Sequence, residues 1–136
     1  MTACEKCRLV QGAKQPAGPA GELASTLKGP LRRFIVDLNV DPHGIVFDDS
    51  PDGALHAKVE FSLVAYDGEG QRVNCLDSGF QMNLKSGPYA AALIKGIPVR
   101  FAIDVPAGQI SLRIAVHDLG AERTGSLEIP LDVATR

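Results

Sequence analysis

Two runs of alternating side chains, set either side of a proline–glycine turn, constrain the fold of this chain more than any other feature. In the first run Val99, Phe101, Ile103 and Val105 alternate with Arg100, Ala102 and Asp104. In the second, Ile110, Leu112, Ile114 and Val116 alternate with Ser111, Arg113, Ala115 and His117. Successive side chains on a strand point to opposite faces, so a period of two marks an apolar face and a polar face. A helix would need apolar positions three and four apart. Pro106, Ala107 and Gly108 interrupt the alternation. Proline presets a turn and glycine tolerates positive φ. The pattern predicts an antiparallel hairpin, with Arg100, Asp104 and Arg113 on its solvent face. It also predicts a fixed register, because a one-residue slip would bury those charges.

The remaining chain repeats this theme. Phe34, Val36, Leu38 and Val40 form an alternating set that predicts a first strand from about Leu31. Ile45, Val46 and Phe47 read as a short strand, followed by strong turn chemistry over DDSPDG. Leu55, Ala57, Val59, Phe61, Leu63 and Ala65 predict the longest strand, facing inward. After Asp67-Gly68-Glu69-Gly70 the chain turns back through Gln71 to Asp77. Gly79 sits where the apolar phase changes, from Val73 and Cys75 to Phe80 and Met82, which predicts a bulge or break. Ser86 to Lys95 is the interior helix candidate, stopped by Gly96 and bridging two sheets. Leu127, Ile129, Leu131 and Val133 predict a last strand, and Pro130 places it at a sheet edge. Residues 1–30, rich in Gly and Pro, predict a flexible arm, with one or two helical turns available to ELASTLK. Residues 31–136 then form one β-sandwich domain of seven or eight strands with one short helix.

Length and composition set outer limits. A chain of 136 residues suffices for one hydrophobic core. Aromatic content is 5% with no Trp, which argues against a stacking platform for sugars or single-stranded nucleic acid. A net charge of −2 without a basic patch excludes nucleic acid as the expected partner. No apolar stretch is long enough to insert in a membrane. The N-terminal MTACEKCRLVQGAKQ has no apolar leader; taken literally this predicts a soluble cytoplasmic chain, and a fragment of a longer protein is the alternative.

The motifs that could carry chemistry are few. Cys4 and Cys7 form a CxxC, half of a zinc site or a redox pair, but a closed zinc site needs four ligands. Cys75 and a histidine would have to complete it from far away; the competing reading is an accidental pair in the arm. Asp48, Asp49 and Asp52 cluster in a loop that could hold calcium or another divalent metal, or be a solvated hairpin loop. His43, His56 and His117 show no local metal spacing, although His56 and His117 lie on outward faces and could approach within a sheet. Ser111 and His117 share a strand but are about 20 Å apart, too far for a nucleophile and its base. No catalytic residue and no cofactor is assigned.

The segments VDLNVDPHGIVF, AKVEFSLVAYDGEGQRVN and VPAGQISLRIAVHDLGAERTGSLEIPLDV, in that order, resemble the C-terminal part of acidobacterial-type von Willebrand factor A-related proteins. The resemblance covers about residues 33–134. It implies an antiparallel immunoglobulin- or fibronectin type III-like sandwich, an accessory or interaction role, and an extracytoplasmic setting. The A domain and its metal-site motif have no counterpart in this chain. The expected function is therefore a non-catalytic module for protein–protein contact or domain spacing. Its partner is another protein, with Val64, Tyr66 and Arg113 among the exposed contact candidates. The alternative is a small metal-binding or redox protein using the N-terminal CxxC.

Overall fold

The computed structural model describes residues 6–12, 20–49 and 51–134. They form an all-β, antiparallel, sandwich-like fold with one α-helix. The strands are β1 (Lys6–Gly12), β2 (Leu31–Val40), β3 (Asp48–Asp49), β4 (Leu55–Tyr66), β5 (Arg72–Leu84), β6 (Ile97–Pro106), β7 (Gly108–Asp118) and β8 (Arg123–Val133). The helix α1 (Ser86–Lys95) joins β5 to β6.

The smaller sheet runs β1-β2-β6. In the larger one β5 pairs along β4, whose other edge takes β7 and, at its start, β3; β8 lies outside β7. The inward sets of both sheets meet in one core. Phe61, Leu63, Leu112 and Ile114 of the larger sheet are fully buried, as are Val36, Ile103 and Val105 of the smaller. Phe61 and Phe101 meet across the interface at 5.2 Å between ring centres, their planes tilted by 52°. Nonpolar surface removed from water supplies the driving force, on the order of 1.5–3 kcal/mol for each such side chain.

The expected hairpin at residues 99–119 is corrected. β6 does not pair with β7: it pairs with β2, whereas β7 pairs with β4 and β8. The turn through Ala107 carries the chain from one sheet to the other, with Gly108 at φ 118°. Alternation records only that each strand has one apolar face. Two strands of a hairpin share a face, and two strands facing each other across a core give the same pattern. Asp104 is also corrected, since it is fully buried.

Three further expectations change. Gly79 makes no bulge; it sits in continuous register opposite Glu60, and the register shift falls at Ala65 and Tyr66. Asn74 and Ser78 occupy inward positions opposite Ala65 and Phe61, and these polar residues imitate a phase change. Ile45 to Phe47 is not a strand, because Asp118 captures its backbone: the Val46 N–H donates to Asp118 Oδ2 at 2.8 Å. The segment expected as an arm over residues 1–30 is built into the fold in two places. Lys6–Gly12 pairs antiparallel with β2, and residues 20–27 dock with a short 3-10 turn at Ala24–Thr26. The reason is backbone hydrogen bonding to free sheet edges, which composition does not record.

Other expectations agree with the structure. The helix spans Ser86–Lys95 and ends at Gly96, whose φ is 80°. A Cβ at Gly96 would overlap the Asn39 carboxamide, which donates to the Lys95 carbonyl at 3.0 Å. β8 is an edge strand, so Pro130 sacrifices no ladder bond on its open side.

Candidate functional site

Three places bring polar or apolar groups together. The first is buried and lies where β5 and β6, the edge strands of the two sheets, approach each other. Residues 20–23 cross this seam. The Asp104 N–H donates to the Ala20 carbonyl at 2.9 Å, and the Glu22 N–H donates to the Cys75 carbonyl at 2.8 Å. Asn74 uses its whole hydrogen-bonding capacity here. Its Nδ2 donates to the carbonyls of Ala20 (3.0 Å) and Asp104 (2.7 Å). Its Oδ1 accepts from the N–H groups of Leu23 (3.0 Å) and Cys75 (2.8 Å). Gly21, at φ 112°, packs so tightly on Asn74 that a Cβ would overlap the carboxamide.

Asp104 extends the network. Its Oδ1 accepts from Arg33 Nε at 2.9 Å, and its Oδ2 accepts from Arg33 Nη2 at 3.2 Å and from the Ala20 N–H at 2.9 Å. The hydrogen bond to Asp104 raises the Arg33 pKa above its ordinary value. Cys75 closes the cluster: its thiol donates to Glu22 Oε2 at 3.4 Å, and burial followed by that carboxylate pushes its pKa up. A protonated, covered thiol is a poor nucleophile. Every polar group has a counterpart, so this cluster reads as a fastening.

The second place is a cleft of about 270 Å3 on the outer face of the larger sheet. Val46, Asp48, His56, Lys58, Gln81 and Leu119 line it. His56 Nδ1 contacts Asn83 Oδ1, and its Nε2 lies 3.5 Å from Asp52 Oδ1. Among the described residues this buried Nε2 has no hydrogen-bond partner.

The third place is apolar. Along the same β5–β6 seam, beyond Asn74, no chain segment among the described residues crosses. Phe80 is 39% exposed, although its ring meets Phe61 and Phe101 edge-on. A cleft of about 260 Å3 runs between Phe80, Met82, Ile97 and Val99. It shares Ile97 and Pro98 with a second cleft of about 320 Å3 beside Leu84 of β5 and Pro88 and Ala91 of α1. Ile94 on α1 is 84% exposed. Among the described residues the charged ones lining these two clefts are Arg100 and Lys95. Arg100 is already held by Asp37, with Nε 2.6 Å from Oδ1.

The residues singled out from sequence are dispersed. Cys4 lies outside the described residues, as does the side chain of Cys7. Asp48 and Asp49 are exposed on β3, opposite His56 and Leu55. Asp52 accepts from the Ala54 N–H at 2.9 Å. Among the described residues no three His, Cys, Asp or Glu side chains form a metal-binding group. His43 binds Asp41 at 2.7 Å, and His117 binds Thr124 at 2.7 Å opposite Glu60, four residues along β4 from His56. Val64, Tyr66 and Arg113 do come together: Val64 lies opposite Arg113, whose guanidinium sits 5.4 Å from the Tyr66 ring centre. Sequence reasoning missed Asn74, Gly21 and the Asp104–Arg33 pair. Opposite charges at outward positions of two strands were the available signal for the pair. No helix among the described residues is long and apolar enough to cross a membrane.

No known family matches the chain, and no curated protein matches it. Its fold is similar to part of Bacteroides uniformis β-glucuronidase 2, solved covalently bound to cyclophellitol-6-carboxylate aziridine, with a TM-score of 0.52 at 9% identity. The match covers 96% of this chain and 13% of that one, so the chain spans a small fraction of the enzyme's length. At this identity the likeness shows the fold alone.

Proposed function

We propose that this chain is a non-catalytic β-sandwich module, of the immunoglobulin or fibronectin type III kind, that works by contact with another polypeptide. The observation that carries the reading is the apolar surface of α1 and the uncovered end of the β5–β6 seam. Phe80 stands out of the seam, Lys95 and Arg100 border its clefts, and Ile94 stands out of α1 into solvent. Large exposed apolar side chains grouped together mark contact surfaces. The resemblance to the region downstream of a von Willebrand factor A domain belongs to the same proposal, as does an extracytoplasmic setting.

Site-specific photo-crosslinking in the host cell tests the contact role. Benzoylphenylalanine at position 94 should give one discrete adduct, and the same probe at the exposed Ser126 on β8 should give none. Equal labelling at both positions would remove the support for a dedicated surface. Turnover of a chromogenic aryl glycoside or ester that disappears in His56→Ala would overturn the non-catalytic reading.

A further inference from the structure

The free edge of β6 has an orientation that can be read from the Ala20 contact. The Asp104 N–H donates to Ala20, away from β2. Antiparallel ladders alternate, so the N–H and C=O groups of Arg100 and Ala102 also point away from β2. Among the described residues no backbone partner meets them there, because β5 passes beside β6 without pairing. The chain's own residues 20–23 therefore use one end of this edge; beyond it Ala102 and Arg100 each offer an N–H and a C=O unused, and Pro98, which has no N–H, offers its carbonyl alone. In front of them lies the apolar cleft of Phe80, Met82, Ile97 and Val99.

Resting on the contact-module reading, we infer that the open end of the β5–β6 seam takes an extended strand of a partner polypeptide that carries apolar side chains toward the cleft and an acidic side chain beside Lys95. Unused strand-edge groups select an extended backbone, since only that conformation presents donors and acceptors at the matching repeat. Pockets along the edge select alternate apolar side chains. Charge selects the end. Among the described residues no carboxylate lines either cleft, Arg100 is paired with Asp37, and Lys95 makes no ion pair. The distance from Ala102 to Ile97 along the strand is about 17 Å, so a segment of six to eight residues spans the site.

The test uses the whole chain and two synthetic capped octapeptides. Each has alternating valine and threonine; one ends in two glutamates and the other in two lysines. Amide hydrogen exchange and amide NMR shifts are followed on titration. The acidic peptide is expected to slow exchange at Arg100 and Ala102 at least tenfold and to bind at least tenfold tighter than the basic one. Lys95→Glu should invert that preference, and Lys95→Gln should abolish it. Lys95 is exposed, so neither variant threatens folding. Absence of protection at Arg100 and Ala102 with millimolar peptide would overturn the inference, as would a preference that ignores Lys95. Protection that rises with protein concentration alone, together with a dimer in sedimentation, would assign the edge to a second copy and overturn it too. Each of these results leaves the crosslink at position 94 free to succeed, so the two readings fail separately.

Discussion

Asn74 and Asp104 carry more of this fold than their polarity suggests. A buried amide with four partners cannot be replaced by an apolar side chain without stranding those partners, at about 1–3 kcal/mol for each group left unpaired. Asn74→Ala is expected to lower stability by at least about 2 kcal/mol, seen as a lower urea midpoint at unchanged slope. Asn83→Ala, on the outer face of the same strand, should stay within about 0.5 kcal/mol of the parent. Cys75 offers a pH test. Its pKa is raised by burial, so the folded chain holds this proton more tightly than the unfolded one. Stability from this group is complete below the ordinary thiol pKa, about 8.5, and is lost as pH rises through the folded value. In a Cys4→Ser/Cys7→Ser background, denaturation midpoints should fall between pH 8 and 10 more steeply than in the same protein with Cys75→Ala. Neither residue was legible as a fastening in the sequence. Asn74 interrupts an apolar pattern and reads as a solvent position, and Asp104 stands in an alternating run whose polar face is ordinarily wet. What covers them is residues 20–23, more than fifty positions before Asn74 and more than eighty before Asp104.

Strands and the helix were legible for a different reason: their evidence is local. Leu55 to Ala65 and Leu127 to Val133 alternate because each buries one face, and Ser86–Lys95 ends where Gly96 must adopt positive φ. Pairing is not local, which is why β6 and β7 looked like a hairpin. Both present an apolar face to the same core, and the short turn fits an arch between sheets as well as a hairpin. The helix shows how burial diverges from hydrophobicity. Of its apolar residues Ala92 is buried, whereas Ile94 is 84% exposed. Ile94→Glu is therefore expected to leave the melting temperature within about 2 °C, while Ala92→Glu, which forces a carboxylate against the sheet, should lower it by more than about 5 °C. Thermal unfolding followed by circular dichroism distinguishes the two. Equal effects would mean that Ile94 serves the fold, and the contact surface would lose its most exposed apolar residue.

On the scale of the molecule, a two-sheet fold leaves open sides wherever edge strands of different sheets meet. This chain closes one end of the β5–β6 side with its own residues 20–23 and leaves apolar side chains at the other. The boundary between domain and arm, drawn at residue 31 from composition, therefore divides residues that the structure joins. Deleting residues 1–30 puts that to the test. If the segment were only an arm, the remaining chain would melt as the full one does. The structure instead removes β1 from the smaller sheet and strips partners from Asn74, from Asp104 Oδ2 and from the Cys75 carbonyl. Water can satisfy part of what is uncovered, so the loss is smaller than the sum of stranded groups, but several bonds fail together. A fall in melting temperature of roughly 10 °C or more is expected. Amide exchange should become faster at Cys75 and Asp104 than at Leu63 in the middle of β4. A deletion that melts with the full chain, and keeps those amides slow, would return the boundary to residue 31.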